Sequence, residues 1–199
     1  MRINENNHKN ITYFLLLLVA ISSFLAYLIS VLLRIHNIEL PFFIEIPITA
    51  PAIYAILFEW FDKKLWKLSF FRKLGIIEAE DLNGKWVGYI KSSYDDFLSE
   101  IPADLLIAQT ATTVKIRGKF NQSKSISVHE GFGTSDIDQS MALFYFYRNE
   151  PNSDATSTMS IHEGSTKLIY NKETDTLQGY YYSGRDRNNY GTINVKRKK

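Results

Sequence analysis

The sequence predicts a membrane-anchored all-β protein, and three observations carry that reading. Residues Ile11–Leu33 form an uncharged run of 23 positions, 15 of them Leu, Ile, Val or Phe. A second apolar stretch, about Leu40–Phe61, follows and runs into a basic, aromatic collar. After Gly75, short β-branched and aromatic runs are separated by Gly, Pro, Asn, Asp and Ser clusters, which is the pattern of many short strands.

At about 1.5 Å of rise per residue, the first run covers the roughly 30 Å hydrocarbon core of a bilayer. Each strongly apolar residue contributes about −0.3 to −0.6 kcal/mol, so insertion is favourable. The run is longer than the ~7–15-residue apolar region of a signal peptide, and no small-x-small cleavage site follows it. It reads as a retained transmembrane helix.

The second stretch is interrupted by Pro41, Pro47 and Pro51 and holds Glu45. Proline removes a backbone donor and clashes one turn back, so the early part should be kinked or irregular. Two readings stand, a second transmembrane helix or a re-entrant segment. Glu45 lies about 7 Å inside the expected helix start, where it reaches the headgroups or faces a neighbouring helix or water.

Arg2 and Lys9 precede the first span, and only Arg34 lies in the connection around His36. Lys63, Lys64, Lys67, Arg72 and Lys73 follow the second. The Lys/Arg bias places both termini in the cytoplasm, for a multi-pass membrane protein. Trp60, Phe61, Trp66, Phe70 and Phe71 among those cations suit an interfacial collar or a helix packed on the soluble part. Residues 1–75 thus read as anchor and collar, and 81–199 as a cytoplasmic domain.

Charge is balanced in both halves. Up to residue 80 there are 8 Lys/Arg against 7 acids, beyond it 15 against 14, and the net charge is +2. Neither half is a basic module, so no DNA or RNA partner is indicated. The chain has no Cys, which rules out disulfides and thiolate metal sites.

The expected strands are Gly84–Ser92, Leu105–Gln109, Thr112–Phe120, Lys124–Glu130, Gln139–Arg148, Thr156–His162, Lys167–Tyr170, Thr176–Tyr182 and Gly191–Lys196, with a short helix possible in Tyr94–Ala103. Such spacing without a long helical period indicates a barrel or a sandwich. In the strand around Tyr145, Met141, Leu143, Tyr145 and Tyr147 share one face while Phe144 and Phe146 occupy the other. A strand apolar on both faces should be covered on both, outwardly by a helix, the membrane or a partner.

No catalytic set assembles, so nothing favours an enzyme. His8, His36, His129 and His162 lack metal-ligand spacing, and Gly131-Phe132-Gly133 is too short for a nucleotide fingerprint. Asp95 and Asp96 read as a solvated loop pair. No metal or cofactor is called for. A binding site remains: tyrosine faces can stack on a base, hydroxyls and amides can hold ribose, and arginine forks onto phosphate. The candidates are Arg185 and Arg187 in the last turn, Ser92 and Ser93, Gln109 and Thr110, Ser123 and Ser125, and the rings of Tyr145 and Tyr181.

Two apolar helices lead into Phe61-Asp62-Lys63-Lys64-Leu65-Trp66-Lys67. There follow Asp81-Leu82-Asn83-Gly84-Lys85-Trp86-Val87-Gly88, Ser92-Ser93, Gln109-Thr110, Ser123 to Ser127, and Leu143-Phe144-Tyr145-Phe146-Tyr147 ahead of Pro151. The end reads Leu177-Gln178-Gly179-Tyr180-Tyr181 and Gly191-Thr192-Ile193. In this order, over nearly the whole chain, the sequence resembles the two-transmembrane, β-strand-rich effectors of bacterial cyclic-oligonucleotide antiphage signalling (CBASS). The resemblance implies two N-terminal transmembrane helices followed by a small, roughly eight-stranded antiparallel β-barrel that binds a cyclic dinucleotide. It implies a synthase making that signal during infection, then assembly of the protein as a homo-oligomer, disruption of the lipid bilayer and death of the infected cell. Nine expected strands are one too many for that fold, and 105–109 with 112–120 are the expected single bent strand. The alternative is a passive membrane-tethered binding or scaffold barrel.

Overall fold

The computed structural model describes residues 5–39, 49–134, 140–157, 159–184 and 187–198. Glu45 and Arg185 lie outside the described residues. The chain divides into a helical unit, Ile3–Glu78 with Thr110–Thr112, and a barrel unit, Ala79–Gln109 with Thr113–Lys199.

In the helical unit, α1 spans Glu5–Ile35. Among the described residues it is the one helix long and apolar enough to cross a bilayer. Its large side chains are left uncovered, with Leu16 and Phe24 each 59% exposed. A helix apolar nearly all round and exposed on most of it suits lipid rather than water. Its serines are satisfied internally: the Ser22 hydroxyl donates to the Val19 carbonyl at 2.9 Å and that of Ser30 to Ala26 at 2.9 Å. In hydrocarbon an unsatisfied hydroxyl would be costly.

The second apolar stretch is helical over Ala50–Lys63 (α2), with Pro51 in the first turn, where its missing N–H has no intrahelical partner to lose. Fourteen residues make about 21 Å, short of a bilayer core. The collar is not a continuation of α2. The chain breaks into a 3-10 turn at Leu65–Lys67 and a short helix α3 at Ser69–Lys73. Phe61, Trp66 and Ile76 are buried together, and the Phe14 ring of α1 lies 4.5 Å from Phe61 and 5.6 Å from Phe71. Trp60, Leu68 and Phe70 stay exposed.

The barrel unit has eight strands: β1 Gly84–Ser92, β2 Ile101–Gln109, β3 Val114–Phe120, β4 Ser123–Thr134, β5 Met141–Pro151, β6 His162–Asn171, β7 Thr176–Ser183 and β8 Tyr190–Arg197. Each pairs antiparallel with the next and β8 closes on β1, from Trp86↔Arg197 to Ser92↔Gly191. Closure removes every edge strand. The structure therefore has a closed eight-stranded antiparallel barrel, as the resemblance implied.

Two strand expectations need correction. Leu105–Gln109 and Thr112–Phe120 are not one bent strand but belong to β2 and β3, which pair from Ala103↔Phe120 to Gln109↔Val114. The surplus strand is Thr156–His162: its described residues before His162 connect β5 to β6, and the Ala155 carbonyl accepts from the Met159 N–H at 2.9 Å. β2 also starts earlier than expected, at Ile101 rather than Leu105. Pro102 is tolerated where β2 has only β1 beside it, since the β2–β3 ladder begins at Ala103. The expected short helix at Tyr94–Ala103 is a 3-10 turn, Ser93–Asp95.

Inward residues alternate along each strand and fill the end of the barrel where the chain enters. Trp86, Leu105, Ile107, Ile116, Leu143, Leu168, Leu177 and Val195 are all almost fully buried there. The Trp86 indole N–H donates to the Leu82 carbonyl at 2.9 Å. The Arg197 guanidinium lies 4.3 Å over its ring and bonds Asp175 at 3.1 Å. This end is plugged. A bulge at Ser127 lets its hydroxyl accept from the Ile116 N–H at 2.9 Å and donate to Glu130. The outward face of β5 is only partly covered among the described residues: Phe146 is 61% exposed, and Phe144, with the Lys167 ammonium 5.3 Å over its ring, 40%.

Candidate ligand-binding site

The other end of the barrel is polar and hollow. In an up-and-down barrel the ends of odd strands meet the starts of even ones, so one rim carries the β1–β2, β3–β4, β5–β6 and β7–β8 connections. Beneath it lies a cavity of about 400 Å³, within the roughly 300–1,000 Å³ range of small-ligand sites. Ile90 and Ile193 give it apolar wall, and Tyr145, Tyr147, Thr166 and Tyr181 project into it from β5, β6 and β7.

Burial shapes the chemistry of these phenols. Desolvation raises the Tyr145 hydroxyl far above its ordinary range, opposed by a hydrogen bond with Thr166. Tyr147 is pushed up to about 12 by the same cause, and Tyr181 is also raised by burial. All three are neutral phenols at physiological pH, offering a ring face and a donor–acceptor hydroxyl. His162, edge-on to Tyr147 with centroids 6.5 Å apart, is held below its usual pKa by desolvation.

Two charged groups face this neutral wall. Arg187, in the β7–β8 connection, influences the titration of Tyr147, Tyr181 and His162. Its Nε donates at 3.2 Å to the Asn189 amide oxygen when that amide is turned to face it. Its Nη1 is buried and has no hydrogen-bond partner among the described residues. Asp95, in the 3-10 turn after β1, also lines the cavity. Its Oδ2 accepts from the Ser99 N–H at 3.0 Å, while Oδ1 is buried and has no hydrogen-bond partner among the described residues. Hydrogen bonding from Ser99 holds its pKa below the ordinary carboxylate value.

Of the residues singled out from sequence, Ser92, Ser123, Ser125, Tyr145, Tyr181 and Arg187 are brought together around this cavity. Ser93 sits beside it and accepts from the Tyr190 N–H at 3.1 Å. Gln109 lies at the plugged end, where its amide accepts from the Leu82 N–H at 2.8 Å and donates to the Glu80 carbonyl at 3.1 Å. Thr110 follows it in the β2–β3 connection, which groups with the helical unit. Asp95, Tyr147, Asn149, His162 and Asn189 also line the cavity and were not among the candidates. The alternation of β5 was the signal that could have found Tyr147 and Asn149, since they share the face of Tyr145.

Known proteins agree with this division of the chain. The family model described as the Cap15 cyclic dinucleotide receptor domain matches residues 77–197, and that of the Cap15 TM helices matches residues 13–67. A CD-NTase-associated protein 15 from Yersinia aleksiciae is 30% identical over 163 residues, covering 81% of this chain and 75% of the relative. Another from Escherichia albertii is 26% identical over 144 residues, covering 69% of each. With one family matching both the helical and the barrel segment in order, the chain belongs to the Cap15 family of CBASS effectors, pairing transmembrane helices with a cyclic dinucleotide receptor domain.

Proposed function

We propose that the barrel binds a cyclic dinucleotide in its rim cavity, with a phosphate at Arg187 and a base against the tyrosine wall. The observation that carries this is the buried, partnerless Nη1 of Arg187 on the wall of a ligand-sized cavity. A buried donor without a partner costs about 1–3 kcal/mol, and an anionic ligand removes that cost. The neutral phenols add stacking surface worth about 1–3 kcal/mol per base. Ser92, Ser123 and Ser125 stand within the same cavity as ribose or phosphate partners. Titration calorimetry of the purified protein with cyclic dinucleotides tests this reading. Saturable one-to-one binding is expected, and heat equal to the dilution blank for every cyclic dinucleotide tried would refute it.

The signal is the product of a nucleotide synthase, and the protein acts by binding and assembly, without a chemical step on the ligand. Both termini are cytoplasmic, α1 crosses the inner membrane, and the second apolar stretch, about Leu40–Phe61, returns the chain. Binding drives homo-oligomerisation and loss of bilayer integrity, which kills the infected cell. A 1:99 to 99:1 shift needs about 5.5 kcal/mol of differential binding, available when the ligand favours one assembled state. Reporter fusions after Lys199 and beside His36 should report opposite compartments. A periplasmic signal at Lys199 would overturn this topology.

A further inference from the structure

Asp95 is held by a loop that no ordinary turn would need. Asp96 and Phe97, neither a glycine, both adopt positive φ, 53° and 63°. Such backbone is disfavoured for residues with a Cβ and persists only where surrounding bonds over-determine it. Here the Phe97 N–H donates to the Ser92 carbonyl at 2.8 Å, the Leu98 N–H to the Asp95 carbonyl at 3.1 Å, and the Ser99 N–H to Asp95 Oδ2 at 3.0 Å. The Phe97 ring is tied to Tyr190 on β8 with centroids 5.8 Å apart. The result pins one carboxylate oxygen and leaves the other, Oδ1, buried without a partner on the cavity.

An unpartnered acceptor and an unpartnered donor thus line one cavity, with Tyr181 influenced by both Asp95 and Arg187. We infer that Asp95 is the specificity-determining residue of the receptor, accepting one hydrogen bond from an amino or imino N–H on a base of the nucleotide. This rests on the receptor reading above. A carboxylate repels phosphate, so it must meet a neutral part of the ligand. In a cyclic dinucleotide the ribose hydroxyls lie beside the phosphodiesters, whereas the bases project away from the ring. The base edge is therefore the part that Asp95 can approach. Because Oδ2 is held by Ser99, a single oxygen remains, and it accepts only. A base presenting a lone pair at that place is rejected, since both sides would be acceptors and a buried group would stay unpaired.

The test uses full-length protein in detergent and a set of cyclic dinucleotides carrying adenine, guanine or uracil. The wild type should rank them with at least a tenfold spread. In Asp95→Asn the amide oxygen turns to the Ser99 N–H and the NH2 group faces the cavity. The preferred ligand should then bind at least tenfold more weakly, and the spread should collapse. On the wild type, methylating the base N–H should cause a similar loss, with no further loss on Asp95→Asn. Where Asp95→Asn lowers the melting temperature, Asp95→Glu keeps the charge and moves the acceptor, so it should reorder the bases. An Asp95→Asn protein that keeps the wild-type affinities and ranking overturns the inference. So does a 2′-deoxy ligand that reproduces the loss while base methylation does not. Wild-type protein that binds none of the set overturns the receptor reading itself, and this inference with it.

Discussion

Replacing Arg187 with methionine separates a ligand-holding arginine from a structural one, because the two predict opposite signs. Arg187→Met keeps an apolar stem but removes every donor. In the ligand-free barrel the buried Nη1 has no partner, so its loss relieves a desolvation cost of about 1–3 kcal/mol. The bond from Nε to Asn189 is lost too, at about 1 kcal/mol. Stability without ligand should therefore be unchanged or slightly raised. With ligand, a charge-assisted bond to phosphate worth about 1.5–3 kcal/mol disappears, making binding about 10–150-fold weaker. Thermal unfolding reads both at once. Ligand at 100 times the wild-type Kd adds about 2.7 kcal/mol, and a domain of this size gains about 3–6 °C per kcal/mol. The wild type should rise by about 8–16 °C and Arg187→Met by about 1–8 °C. A variant that melts several degrees lower without ligand, yet shows the full ligand-dependent rise, would refute the reasoning.

Further outcomes follow from the same structure. Burial holds His162 below the ordinary histidine value of 6.5, so the unfolded chain takes up a proton that the folded barrel refuses. Its contribution to stability is complete above about pH 6.5 and fades as the pH falls below that through the folded value. His162→Gln should flatten that part of a denaturation-versus-pH curve, and an unchanged curve would count against it. Gln109→Leu removes the side-chain oxygen that accepts from the buried Leu82 N–H; it should cost about 1–3 kcal/mol in urea denaturation and leave nucleotide affinity intact. Gly179→Ala would place a Cβ 1.9 Å from the Lys167 carbonyl oxygen, so the barrel should be destabilised by about 1–3 kcal/mol or more. On the outer face, Phe146 and Tyr182 are exposed on β5 and β7, an apolar patch fit to be covered in an assembly. Phe146→Arg should block ligand-induced liposome leakage while calorimetric affinity stays the same; leakage at the wild-type rate would remove this patch from the mechanism.

The anchor and most strands were legible because they rest on length and alternation, which neighbours do not change. Ile11–Leu33 needed only its apolar length, and β1 was read to its true ends, Gly84 and Ser92. What failed was local pattern overruled by tertiary context. Thr156–His162 alternates like a strand, yet Met159 is apolar because it lines the cavity. Asp95 was read as solvated because two adjacent acids in a polar loop usually are. Only the positive φ of Asp96 and Phe97 and the Ser99 amide turn its carboxylate inwards.

That single surplus strand had a consequence for the site. In a meander barrel the rim to which a loop belongs is fixed by counting: connections after odd strands share one rim and those after even strands share the other. With eight strands, Ser92 ends β1, Ser123 opens β4, and Arg187 follows β7, so all three meet on one rim, while Gln109 ends β2 and falls on the other. With Thr156–His162 counted as a strand, every later parity inverts. Arg187 then joins Gln109, and the arginine no longer shares a rim with Ser92, Ser123 and Ser125. Merging 105–109 with 112–120 restores the total to eight but inverts the parity of everything between the merged pair and residue 156, which moves Ser123 and Ser125 away from Ser92 instead. Ser92, Ser123, Ser125, Tyr145, Tyr181 and Arg187 were therefore legible as residues, but their grouping depended on the strand count, and that count turned on whether Met159 belongs to a paired strand or to the cavity wall.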